Sequence, residues 1–511
     1  MGWARRTTVN GSVPTEVFWA SSSGSGGAAT HILPRSPPET AMGSRPTCRA
    51  AVTLLALATA LSSCSAPSPK PAVRREVAPG ARLKDPPELV SHNGLLRARL
   101  VVQRRKVDVA GRKRWALTYN DRYMPPTLRI RPGDKVELDF VNRVRPHTNL
   151  HVHGLHVSPK APADNVLIHI GAGKTYHYRY RFPQALKPGT YWYHSHAHPI
   201  SAPQVAGGLA GIIVVDGLQQ YLPSALRHIT EHTIALKDFQ VQGDAVKTEG
   251  LKIGAPTHRT VNGQLNPTIH IRPGEVQLWR LANISANIYY KLRLRGYRFR
   301  VIGRDGFPVD RTFTRDTLLL AAATRFDVLV TGGRPGRTVL ETLPYSTGPA
   351  GNQFPRAKLA TLVSSGKPVA RVAMPTTFAP PEDLSHLPLA RRRTVVFSEN
   401  KAGTKFYING KQFDPHRVDL RSKLNTTEEW TVVNTSNEEH SFHTHTNHFQ
   451  LMSINGVPHH GHSLQDIANV PAKGKLVIRI RFTNYTGKTV LHCHILNHED
   501  EGMMAILDIV K

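Results

Sequence analysis

Cysteine is scarce, with three in 511 residues. Cys48 and Cys64 stand near the amino terminus and only Cys493 lies in the body of the chain, so no disulfide framework is available. Long apolar runs are also missing. The one sizeable run, Ala50 to Leu61, has twelve residues, too few to span a bilayer as a helix but suited to the core of a signal peptide. Acidic residues are few: 36 Asp and Glu against 66 Lys and Arg give a formal net charge of +30. Residues 1–63 hold five arginines and two glutamates, so +27 remains without them. A charge of that size invites a nucleic-acid reading. The basic residues are scattered over strands and loops and no nucleic-acid motif accompanies them, so they read as a solvated surface facing an anionic cell envelope, with no nucleic-acid partner.

Residues 1–41 are rich in Ser, Gly, Pro and Thr and show no periodicity, so no packed structure is expected there. Met42 opens a short basic segment with Arg45 and Arg49, the apolar run follows, and Leu61-Ser62-Ser63-Cys64 resembles a bacterial lipobox. The expectation is a leader and lipoprotein signal peptide over 1–63 with Met42 as the true start, a lipidated Cys64, and a tethering linker over 64–90. The protein is expected to be exported and held at the cell envelope, touching the membrane only through that anchor.

Beyond residue 90 the chain repeats. Ile130-Arg-Pro-Gly133 runs to Asn142 through Val136, Leu138 and Phe140, alternating with Lys135, Glu137 and Asp139 as in a half-buried strand. Ile271-Arg-Pro-Gly274 runs to Asn283 in the same way, and Trp430 to Asn434 ends a third copy. A turn signal precedes each: Asn120-Asp121, Asn262-Gly263 and Asn409-Gly410. This period is too long for a solenoid and fits three duplicated domains, placed at 91–225, 226–375 and 376–511. Short alternating strands, such as Lys475 to Phe482, and abundant Gly and Pro make the fold all-β, each domain a β-sandwich.

The chain is rich in histidine, with 27, and their spacing carries the chemistry. In Leu491-His492-Cys493-His494 side chains alternate faces along a strand, so His492 and His494 point one way and Cys493 the other. Cys493 with His498 and Met503 supplies a thiolate, an imidazole and a weak thioether, three quarters of a blue-copper site. His440-Ser-Phe-His443-Thr-His445 repeats the division: His440 has the parity to complete that site, while His443 and His445 go to a second one. His151-Val-His153 and His194-Ser-His196 add two more pairs to the second site. These pairs lie in the first and third domains, so the second site forms between them and the middle domain, whose His258 and His270 are isolated, reads as a spacer.

The phrases HVHG, WYHSH, HSFHTH and HCHILNHEDEGMM resemble those of three-domain multicopper oxidases of the laccase type, with the bacterial phrase HGLHVSP…DNV at His153 to Val166. The likeness runs from about residue 95 to the carboxyl terminus. It implies three cupredoxin-like Greek-key sandwiches and four copper ions. Type 1 copper would take His440, Cys493, His498 and Met503, and type 2 copper His151 and His443. The type 3 pair would take His153, His194 and His494 on one ion, and His196, His445 and His492 on the other. Ser441 and Asn165 depart from the usual Pro and Gly, but neither is a ligand position. The implied reaction couples four one-electron oxidations of a small reducing substrate to reduction of O2 to water. Phenols and aromatic amines are the first reading, and oxidation of Cu(I), Fe(II) or Mn(II) is the alternative. Seven methionines without a cluster weaken a dedicated Cu(I) role. Glu499 and Asp164 are expected to carry protons to the oxygen site, Asn455 to Ser463 to line the substrate site, and the chain to be a monomer. A non-enzymatic scaffold would have lost ligands, and a copper nitrite reductase would lack the His-Cys-His triple.

Overall fold

The structure, a computed structural model, describes residues 80–380, 382–461 and 463–511. The leader, the lipobox and Cys64 lie outside the described residues. Among those residues strands dominate, with two short α-helices at Ser201–Gly207 and Leu496–Asp500. Among the described residues no helix is long and apolar enough to cross a membrane. Six large sheets form three pairs, each pair one five-stranded and one six-stranded sheet, with a separate two-stranded ribbon of Tyr345–Ser346 and Gln353–Phe354.

The threefold repeat has a structural cause at each copy. Asn120 and Asp121, Asn262 and Gly263, and Asn409 and Gly410 all have positive φ, the backbone that a two-residue hairpin turn with the strands' own twist requires. The three asparagines tie these turns to a neighbouring strand in the same way, each accepting the N–H of Val101, Ala235 or Val396 at 2.8–2.9 Å. A second asparagine closes the strand that follows. Asn142, Asn283 and Asn434 are buried, and each amide donates to main-chain carbonyls that would otherwise be orphaned in the core. The repeated Asn is therefore a packing requirement.

The third sandwich shows how the alternating pattern becomes a site. Its five-stranded sheet runs Leu420–Lys423, Met504–Val510, Gly487–Cys493, His440–Thr444, Ile467–Val470. In the facing sheet Lys475–Arg481 buries Leu476, Ile478 and Ile480 and exposes Lys475 and Arg481. Trp430, Phe442, Leu491 and Cys493 fill the space between. Each such apolar side chain contributes roughly 1.5–3 kcal/mol by leaving water. Cys493 is thus anchored by the core itself.

A seam of small and apolar residues joins the sandwiches, with Trp192 and Ala202 from the first, Ala282 and Ala323 from the middle, and Ile467 and Leu496 from the third. Alanines let backbones approach closely enough for Leu496 N–H to donate to the Ala286 carbonyl and Ser441 Oγ to that of Ala322. At the segment read as a tether, residues 80–83 run along strand Thr268–Ile271, held by main-chain hydrogen bonds to Asn266 and Thr268. Residues 241–246, sequentially past the first sandwich, pair back onto its sheet at Trp115.

Candidate metal centre

Strand Gly487–Cys493 runs antiparallel to His440–Thr444, with Phe442 opposite Cys493 and His443 opposite His492. This register sets Cys493 and His440 towards the sandwich core. Cys493 Sγ lies 3.6 Å from His440 Nδ1 and 3.8 Å from His498 Nδ1, and the two nitrogens are 3.2 Å apart. Met503 is fully buried beside them: its N–H donates to the His498 carbonyl and its own carbonyl accepts the Cys493 N–H. The outer ring nitrogens are engaged elsewhere, His440 Nε2 with Ser436 Oγ at 3.0 Å and His498 Nε2 near Glu438 Oε1 at 3.4 Å. Burial pushes His440 down to about 3 and raises the Cys493 thiol. Two neutral imidazoles and a thiol that gives up its proton only to a cation are a donor set for a soft metal.

The other eight histidines converge between the first and third sandwiches. His151 pairs with His194 and His153 with Trp192 across one ladder. His196 Nε2 and His445 Nε2 lie 3.2 and 3.1 Å from His492 Nε2. The opposite ring atoms are occupied: His151 Nδ1 by Asp164 Oδ2 at 2.8 Å, His194 Nδ1 by the Ser195 carbonyl at 2.8 Å and His443 Nδ1 by the Asp466 carbonyl at 2.7 Å. His492 Nδ1 meets the Cys493 carbonyl at 3.0 Å. Such contacts fix the tautomer and leave Nε2 as the free donor. The Nε2 atoms of His151, His194 and His443 and both ring nitrogens of His494 are indeed buried without a protein partner. Orphaned polar atoms in that number are costly in a core unless a metal takes them. Burial first, and neighbouring imidazoles second, push His151, His445 and His494 well below the usual histidine range, so they stand neutral and ready to ligate. The residues fit copper.

Glu499 and Asp164 both reach this cluster. Glu499 Oε2 is 3.1 Å from His492 Nδ1, Oε1 is 3.5 Å from His196 Nδ1, and Ser201 Oγ donates to Oε1 at 2.9 Å. Asp164 Oδ1 accepts the Val152 N–H and Oδ2 faces His151. Their electrostatics differ. Burial pushes Asp164 up to about 8. Burial also raises Glu499, but His196 and His492 outweigh it and hold the carboxyl below its ordinary range.

Three participants carried no signal in the sequence. Asp466 is buried with Oδ2 2.8 Å from His153 Nε2, Arg325 of the middle sandwich pairs with it, and Glu438 faces His498. None sits in a spaced motif, so the chain alone could not single them out.

A cavity of about 470 Å³ opens beside His498, lined by Phe406, Glu399, Glu438, Asn497 and Glu501 among others. Phe406 stacks on the His498 ring at 4.0 Å. Burial and the neighbouring Glu399 push Glu438 up to about 8. The loop Asn455 to Ser463, expected to line the substrate site, contributes no described residue to this cavity. His156 and His448 bond the carbonyls of Thr446 and Gly154, bracing loops between the sandwiches.

The multicopper oxidase family patterns match residues 101–220, 228–339 and 386–510. A multicopper oxidase of Staphylococcus haemolyticus is 27% identical over 412 residues, covering 77% of this chain and 84% of its own. A laccase of Bacillus stratosphericus is 23% identical over 472 residues, covering 79% and 92%. A solved multicopper oxidase from Campylobacter jejuni, described as a metallo-oxidase, superposes with a TM-score of 0.75 at 27% identity, covering 85% of this chain and 96% of its own. The three sandwiches are cupredoxin-like, copper is the metal, and the chain belongs to the multicopper oxidase family of oxidoreductases that use O2.

Proposed function

We propose that His440, Cys493, His498 and Met503 hold a type 1 copper and that His151 and His443 hold a type 2 copper. His153, His194 and His494 then take one type 3 copper, and His196, His445 and His492 the other, four ions per chain. The observation that carries this reading is the meeting of three Nε2 atoms, from His196, His445 and His492, with 3.2 and 3.1 Å separations and no carboxylate among them. When bound, the coppers supply one-electron acceptance beside the cavity and four-electron reduction of O2 to two waters at the histidine cluster.

The chain's residues supply the rest. The cavity takes a phenol or aromatic amine, with Phe406 holding His498 in place at its floor. Cys493 shares peptide bonds with both His492 and His494, so the two sites are joined by a few covalent bonds. Glu499, against His492, and Asp164, against His151, are the two carboxyl groups placed to exchange protons with the cluster. The fully buried surroundings keep bulk water from the reduced site.

Metal-ion oxidation is the second reading, supported by Glu399, Glu438 and Glu501 around the cavity, whose oxygens suit Fe(II) or Mn(II) better than Cu(I). Oxygen uptake measured against phenols, aromatic amines, Fe(II), Mn(II) and Cu(I), on protein with four coppers by metal analysis, separates the two. Turnover of phenols and aromatic amines is expected. A strong preference for one metal ion with negligible phenol turnover overturns the first reading, and a single copper per chain overturns the ligand assignment. The protein would act as a monomer at the cell envelope, anchored through Cys64.

A further inference from the structure

Arg325 opens the middle-sandwich strand Arg325–Thr331 and is fully buried. It belongs to the domain that supplies no histidine to either cluster, yet its guanidinium sits where all three sandwiches meet. Nη2 lies 3.0 Å from Asp466 Oδ1 and Nη1 donates to Asp466 Oδ2 at 3.2 Å. Nη1 also donates to the Ala323 carbonyl at 3.0 Å, and Nε donates to that of Thr190 at 3.3 Å, on the strand that ends in His194. Its main-chain N–H binds Asp305 Oδ1 at 2.9 Å. Asp466 in turn reaches two histidines of the cluster. Its Oδ2 is 2.8 Å from His153 Nε2, and its carbonyl receives His443 Nδ1–H at 2.7 Å.

The packing leaves no slack around this contact. A Cβ at Gly154, where φ is +84°, would lie 2.5 Å from Arg325 Nη2 and 2.8 Å from Asp466 Oδ2. The glycine of the HVHG phrase is therefore required by the guanidinium and its carboxylate, as well as by the turn.

We propose that Arg325 is a positioning residue for the histidine cluster, acting through Asp466 to hold His153 and His443, so that the middle domain is part of the copper site's architecture. The inference rests on the ligand reading above. An isolated buried carboxylate 2.8 Å from an imidazole has another outlet. It can itself ligate, since His153, His443 and Asp466 offer donor atoms within 4.8 Å of one another. Arg325 opposes this as the carboxylate's ion-pair partner, with Nη1 donating to Oδ2 and Nη2 standing 3.0 Å from Oδ1, an approach by two nitrogens of one plane that a lysine could not reproduce. Asp466 then keeps Oδ2 beside the His153 ring while its carbonyl holds His443 Nδ1. A planar, permanently charged donor from a third domain also sets the distance between the first-domain and third-domain halves of the cluster.

The test compares Arg325→Met, Arg325→Lys, Asp466→Asn and the Arg325→Met/Asp466→Asn double variant in the copper-loaded full chain. Copper per chain is titrated against a chelator, and the paramagnetic type 2 signal is recorded beside the blue colour of the type 1 site. The blue colour reports that the third sandwich is folded. Arg325→Met is expected to keep the blue colour but to lose cluster copper at chelator concentrations about 10- to 100-fold lower than wild type, the range for losing the support of a ligating histidine. Arg325→Lys recovers part of that loss. Asn at 466 still accepts a hydrogen bond without needing a countercharge, so the double variant retains cluster copper better than Arg325→Met alone, a non-additive result. Wild-type copper retention and an unchanged type 2 signal in Arg325→Met overturn the proposal, as do strictly additive losses. If Arg325→Met does not fold, the Lys and double variants decide in the same way. If wild type itself carries no cluster copper, the ligand reading fails instead.

Discussion

Among single residues, the two carboxylates at the cluster show how similar burial gives different chemistry. Both Asp164 and Glu499 are removed from water, which raises a carboxyl group. At Asp164 only the Val152 N–H opposes this and burial wins; at Glu499 the imidazoles of His196 and His492 win. Glu499 lies 3.1 Å from His492 Nδ1 and 3.5 Å from His196 Nδ1, and Ser201 Oγ donates to it at 2.9 Å. Glu499→Gln keeps size and hydrogen bonding but cannot cycle a proton. Anaerobic reduction of the blue site by substrate is expected at the wild-type rate, while reoxidation by O2 falls roughly 10²-fold, the scale of a lost general acid or base. Stopped-flow measurement of the two steps checks this, and wild-type reoxidation would make Glu499 a structural acid only.

Among the elements, strand Thr230–Phe239 carries an unexplained cost. Lys237 is fully buried, its Nζ has no hydrogen-bond partner, and it lies 4.5 Å from the Tyr123 ring centre. Burial pushes its ammonium down to about 7, against the influence of Asp238. A lysine whose folded pKa is depressed binds fewer protons folded than unfolded between pH 7 and its ordinary value of 10.5, so its cost is full below about 7 and fades as pH rises through that window. The penalty at low pH is at most about 5 kcal/mol. Lys237→Met is expected to be more stable than wild type at pH 6.5 by a few kcal/mol, the gap closing towards pH 10. Thermal melts of both proteins across that range measure it, and a gap independent of pH would show that the amine is already neutral or solvated. The ligand-bearing strands are simpler: the His-Cys-His and His-x-His spacing was legible because a strand's two faces are a local property, readable from parity alone. Asp466, Arg325 and Glu438 were illegible for the opposite reason. Arg325 and Asp466 are 141 residues apart, and Asp466 is 23 from His443, at no repeating interval.

For the whole molecule, attachment to the envelope through Cys64 is a property separable from the copper sites. Cells supplied with a labelled fatty acid are expected to mark the wild-type protein and not Cys64→Ala. Equal label on both, or none on either, would make this a plain secreted protein. The three sandwiches, the ten histidines with Cys493 and Met503, and the need for the first and third domains to meet were all legible in the residues. Hairpin turns, face alternation and ligand spacing are all short-range, and a duplicated domain repeats its turn asparagines where packing demands them. How those parts are held follows from the folded structure alone. It placed Arg325 of the supposed spacer against Asp466, set Glu438 and Phe406 over His498, and pinned residues 80–83 along the middle sandwich. Each depends on which distant surfaces come into contact, and a charge pair joining two domains leaves no periodic trace in either.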